Sequence, residues 1–149
     1  QTNFIENMKT NEIEIIEDTK GKRLAEVIRS EQKVDKTTFF SDPNSSFQFG
    51  FVAHKKGYEE EMHYHKAIEK KISEVSQVLF VQRGTVVVDF YNDDKTKIID
   101  ISLKKGDAVN IISGIHRIRV LEDCQCLTVK QGPFISDEMD KVEVSFINK

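Results

Sequence analysis

Large apolar residues fall at every second position in several short stretches, the period of a β-strand with one face buried. Glu12-Ile13-Glu14-Ile15-Ile16 alternates in this way, and Phe47-Gln48-Phe49-Gly50-Phe51-Val52 does so with larger side chains. Further β-rich runs are predicted over 78–81, 85–91, 98–103, 108–112, 118–121, 127–130 and 142–147. Turn residues stand between them: Arg83-Gly84, Asn92-Asp93-Asp94, Lys104-Lys105-Gly106-Asp107, Ser113-Gly114, Glu122-Asp123 and Gln131-Gly132-Pro133. Strands spaced at about 8–12 residues with such punctuation predict an all-β sandwich or barrel. The spacing leaves little room for helical crossovers, so antiparallel hairpins should dominate. Three stretches break the pattern. Residues 22–32 are ambiguous, because Leu24, Val27 and Ile28 sit at helical spacing. Residues 42–46, Asp-Pro-Asn-Ser-Ser, read as a turn. Residues 66–76 are charged and lack β-branched runs, which reads as an inserted loop or short helix.

Composition narrows the class. At 149 residues the chain is one ordinary domain, long enough to bury a core. Its 22 basic and 25 acidic residues are interspersed, with no basic block, so no nucleic-acid partner is expected. Two cysteines cannot form a disulfide framework. The apolar runs are too short for a membrane helix, and no signal-peptide pattern opens the sequence. The expectation is a cytoplasmic protein without membrane contact. Residues 1–11 show no periodicity, and Met8 is a candidate natural start with 1–7 as an upstream extension.

Candidate chemistry rests on four histidines. His63-Tyr64-His65 would put two imidazoles on one strand face, about 7 Å apart at Cα, within reach of a single ion. His116 follows the turn at Gly114, and His54 has no partner at useful spacing. Other features carry plainer readings. Cys124 and Cys126 are taken as reduced thiols, the phenylalanines 47, 49 and 51 as packing residues, and Glu59-Glu60-Glu61 as a solvated edge. Arg117 and Arg119 share a face opposite Ile118 and Val120, which is read as solvated or as an interface.

The frame around the histidines resembles the two cupin motifs. Gly57, five residues, His63-Tyr64-His65, then Gln77, six residues and Gly84 outline the first. Gly106-Asp107, five residues, then Ser113-Gly114-Ile115-His116 resemble the second. Ser76-Gln77-Val78-Leu79-Phe80-Val81-Gln82-Arg83-Gly84-Thr85-Val86 looks like the strand–turn–strand signature, and the likeness covers about residues 47–134. More narrowly, His63–Lys66, Val88–Tyr91 and Val129–Phe134 resemble small one-domain bacterial cupins encoded among genes for surface-polysaccharide or sugar-nucleotide synthesis.

That resemblance implies an antiparallel jelly-roll β-barrel over 47–149, with residues 1–46 as an N-terminal extension adding an edge strand or covering a sheet. It implies one divalent ion, Fe, Zn, Ni or Mn, held by His63, His65, Gln77 and His116. The family places a glutamate where Gln77 stands, counted back from Gly84; Glu69, counted from His65, and Glu74 remain alternatives. A neutral amide ligand leaves the ion's charge unbalanced, which weakens affinity and strengthens its Lewis acidity toward an anion. Lys130, ending a strand beside Gly132-Pro133, is a candidate substrate-binding cation. A homodimer is implied, with a small polar molecule as ligand. Two functions follow: a metal-dependent isomerase, epimerase or dioxygenase acting on a sugar-derived or carboxylated molecule, or a non-catalytic sugar- or carboxylate-binding module.

Overall fold

Residues 77–91 form a single strand of fifteen residues that serves as the spine of the fold. The computed structural model describes residues 12–145, and the candidate start at Met8 lies outside them. The strands are β1 (Glu14–Glu17), β2 (Arg23–Ile28), β3 (Thr38–Phe39), β4 (Gly50–Phe51), β5 (Gln77–Tyr91), β6 (Lys97–Leu103), β7 (Ala108–Ile111) and β8 (Ile115–Lys130). One four-residue helix, α1 (Asp137–Asp140), follows. No helix among the described residues is long and apolar enough to cross a membrane.

The contacts divide the chain into two units. One comprises residues 31–74, where β3 and β4 pair as a two-stranded ribbon. There Phe40 and Phe51 meet edge to face at 6.1 Å. The expected strand over 47–52 shortens to Gly50–Phe51. The turn at 42–46 forms as its residue types dictate: Asp42 Oδ1 accepts from the Asn44 amide and Asp42 O from the Ser45 amide. The expected insert at 66–76 contains no helix and leads directly into β5.

The other unit, residues 13–30 and 75–145, is one curled antiparallel sheet in the order β1-β2-β7-β5-β6, with β8 paired to β5. The curl comes from β5. Its first half pairs with β7, its second half with β6, and β8 follows it throughout, from Gln77 opposite Lys130 to Tyr91 opposite Ile115. Gly84 stands at the change of partner, with φ +83° and register shifts on both sides. Residues 78–81 and 85–91, separate strands in the sequence reading, are therefore one bent strand. Residues 118–121 and 127–130 likewise merge into β8, whose Glu122-Asp123 step makes a bulge instead of a hairpin.

The core is built along this sheet. Val86, Val88 and Phe90 of β5 lie against Ile101 and Leu103 of β6, and Leu79 and Val81 against Val109 and Ile111 of β7. Each such side chain contributes about 1.5–3 kcal/mol when taken fully out of water. The ambiguous residues 22–32 contain β2, a strand: Leu24, Ala25, Glu26, Val27 and Ile28 are all buried. Burial on both faces removes the alternation that would have marked a strand in the sequence. Glu26 is admitted to this interior by Asn110 Nδ2 at 3.0 Å and by Arg23 at 2.9 Å. The expected strand over 142–147 does not form as far as Ser145, and its end lies outside the described residues.

Candidate functional site

Three residues singled out from separate parts of the sequence, Gln77, His116 and Lys130, line one cavity of about 650 Å³ within the curled-sheet unit. Strand register explains the convergence. Gln77 opens β5 and stands opposite both Ile111 of β7 and Lys130 at the end of β8. His116 stands opposite Phe90, a fully buried core residue, so its side chain shares that residue's face of the sheet. The C-terminal segment closes another side of the cavity through Asp140, Val142 and Val144.

Local contacts fix each side chain. Gln77 donates its amide nitrogen to Thr128 Oγ1 at 3.1 Å. The His116 ring places Nδ1 2.9 Å from the Gly114 carbonyl oxygen. A carbonyl only accepts, so Nδ1 carries a proton and donates it there. Gly114 supplies this carbonyl from a tight turn with φ +88°. Lys130 forms an ion pair with Asp140.

His63 and His65 lie in the 31–74 unit, in a segment without strand structure, so the expected strand face is absent. Their imidazoles are nonetheless neighbours, with ring centroids 5.3 Å apart and planes at 84°. His63 Nδ1 stands 2.8 Å from the Glu61 carbonyl oxygen, and its Nε2 stands 3.6 Å from Glu60 Oε1. His54 has partners after all: its ring stacks on Tyr58 at 3.8 Å and lies 3.4 Å from Thr37 Oγ1. Glu69 and Glu74 belong to the same unit as the histidine pair. Of the four-residue set, His63 and His65 thus belong to one unit and Gln77 and His116 to the other. Among the described residues, no group of three or more His, Cys, Asp or Glu side chains is arranged to hold a metal ion.

The strongest electrostatic feature escaped the sequence reading. Asp89, near the C-terminal end of β5, is fully buried. Its carboxylate accepts from Arg117 Nε and Nη2 at 3.1 and 3.0 Å and from Arg119 Nε and Nη2, both at 2.8 Å. Lys97 stands 3.7 Å away and bridges to Asp100. The Arg119 guanidinium, with Arg117 and Lys97 beside it, outweighs burial and holds the Asp89 carboxyl far below the usual carboxylate range. Arg119 is raised in turn, chiefly by its bonds to Asp89. The two arginines are therefore counterions of a buried carboxylate on a face that is also partly solvated, their side chains being 57% and 39% exposed. The signal was a lone acid within Val-Val-Val-Asp-Phe-Tyr, together with Arg117 and Arg119 at same-face spacing in another strand.

Cys124 and Cys126 are free thiols, and burial raises Cys126, with Cys124 adding to the effect. The run Glu59–Glu61 is exposed, as expected. No family model, curated protein or solved structure matches the chain.

Proposed function

We propose that this protein is a cupin-type small-molecule binder, with a divalent ion held by His63, His65, Gln77 and His116, acting on a sugar-derived or carboxylated compound of surface-polysaccharide synthesis. The observation that carries the reading is the shared cavity of Gln77, His116 and Lys130. Its volume falls in the range of small-ligand sites, and it mixes apolar walls with a few placed polar groups. The imidazole geometry adds support. Metal-binding histidines usually donate their other ring N–H to a carbonyl or carboxylate, and both His63 and His116 do so. A donor set of imidazoles and an amide oxygen fits Zn, Fe, Ni or Mn, and a bound ion would supply Lewis acidity. Around it, Gln77 and His116 would orient the ligand and Lys130 would meet its negative charge. The jelly-roll form of the reading requires a further strand on the open edge of β8, since β8 pairs only with β5 among the described strands. A homodimer belongs to the same reading.

A non-catalytic binding module is the second reading. It is favoured by the neutral Gln77, which removes an acid/base-capable carboxylate from the position the family gives to glutamate.

Elemental analysis of protein purified without chelator should find one ion per chain. His63→Ala and His116→Ala should each lose it while the sheet stays folded by circular dichroism. Gln77→Glu should tighten binding on the order of tenfold by adding charge to the ligand set. Metal retained in both histidine variants would overturn the ligand assignment. Turnover of nucleotide sugars with added metal separates the enzyme from the module.

A further inference from the structure

The acidic residues lining the cavity, Asp140 and Glu143, both come from the C-terminal segment, whereas His116, Arg117 and Lys130 come from the sheet. The sheet wall is thus basic, and the chain's own tail brings the negative charge to it. Arg117 is anchored to the buried Asp89 through two nitrogens. Lys141, on the tail, bridges to Asp137 at 3.2 Å. Lys130 is different, because its counterion Asp140 is itself part of the cavity wall. Both members of this pair are largely withdrawn from solvent, with side chains 29% and 16% exposed. An ammonium so placed favours an anionic partner, and an anion is the natural replacement for Asp140.

The tail that carries Asp140 is lightly held. None of the residues of α1 is buried. The segment is tied by Ser136 Oγ, which accepts from the Met139 amide at 3.3 Å, by two backbone bonds onto Ser136 and Asp137, and by Lys95 Nζ donating to Ser145 O at 2.7 Å. Met139 and Val142 remain exposed. A segment fixed by a few exposed polar bonds and no apolar core opens at low free-energy cost. It can yield to a ligand that replaces the partly buried contact of Asp140 with Lys130.

We infer that the cavity takes a small oxyanion, a carboxylate- or phosphate-bearing molecule, on Lys130, and that Asp140 is its built-in competitor, occupying the anion position until the ligand displaces it. This deepens the proposed function by naming the charge of the ligand and a gate to the site. It rests on that reading's cavity and not on its metal.

Titration calorimetry with inorganic phosphate in one arm and succinate in the other, on the full chain, tests it. A competitor that holds the site closed for most of the time lowers the apparent affinity by the open fraction. Asp140→Asn should therefore tighten the favoured anion roughly tenfold. Lys130→Met should abolish binding of both, alone and combined with Asp140→Asn. The arm that responds identifies the oxyanion class. In the wild-type protein, the amide signals of Asp140 and Lys141 should shift on titration, a readout that needs no variant. An Asp140→Asn affinity within twofold of wild type, anion binding that survives Lys130→Met, or tail signals unmoved by a bound anion each overturns the inference. Metal content, measured on the same samples, should match wild type. Loss of anion response with metal retained defeats the gate alone, whereas absent metal with the anion response intact defeats the metal centre alone.

Discussion

Gly84→Ala should cost at least about 3 kcal/mol and lower the thermal midpoint by roughly 10 °C. Two causes add. The backbone at Gly84 has φ +83°, a left-handed conformation that costs an L-residue about 1–2 kcal/mol. A Cβ built there would also lie 2.2 Å from Asp123 O and 2.7 Å from Cys124 Cα. Those neighbours are backbone atoms of β8, so no rotamer change relieves the clash. Relief would require β8 to move away from β5 where their registers shift, which is the point that lets one strand serve two sets of partners. Gly21 provides the control. It has φ +80° but nothing within 4 Å of an added Cβ, so Gly21→Ala should show the conformational cost alone. Thermal melts of the two variants separate the terms. If Gly84→Ala costs no more than Gly21→Ala, the close approach at the bend is not what shapes the sheet.

This bend also explains what the sequence could and could not disclose about the fold. The strands β5, β6, β7 and β8 were legible from their β-branched and aromatic runs and the turn residues between them, although 86–91 of β5 and 109–111 of β7 are buried in succession and β8 has no buried residue. Gly84 and Glu122-Asp123 read as hairpin turns because turn chemistry and bulge chemistry use the same residues. Only pairing to a third strand distinguishes a bend within a strand from a reversal, and pairing is not local. β2 was obscured because its five successive buried residues show no alternation while Leu24, Val27 and Ile28 also fit helical spacing. For the site, Gln77, His116 and Lys130 could be found one by one, since each stands at a strand end beside a turn. Asp140 could not, because its role depends on where a tail lacking hydrophobic periodicity comes to rest. Asp89 carried a faint signal, a carboxylate where an apolar strand residue was due, but its partners lie about thirty residues away in another strand.

Asp89→Asn should destabilise the sheet unit by about 2 kcal/mol near neutral pH. Truncating one member of a buried charge pair costs about 3–5 kcal/mol. The value here is discounted because the side chains left behind, Arg117 and Arg119, are 57% and 39% exposed and can recover hydration. The asparagine keeps the shape and one acceptor, so the loss reports charge, not a cavity. The pH dependence distinguishes this from a packing defect. Arg119 and its neighbours depress the Asp89 carboxyl in the folded state, so its contribution is complete above the unfolded carboxyl value of about 4. It is lost progressively as pH falls below that value toward the folded one, because the unfolded chain takes up the proton first. Wild-type stability should therefore fall steeply with acid, Asp89→Asn should fall less steeply, and the gap between them should narrow below about pH 4. Asp100→Asn, which removes the 42% exposed partner of Lys97, should cost less than about 1 kcal/mol. Urea unfolding across that pH range measures all three proteins. Parallel acid limbs for wild type and Asp89→Asn would mean that the carboxylate is not charged against its arginines, and that the positive face beside the cavity is balanced in some other way.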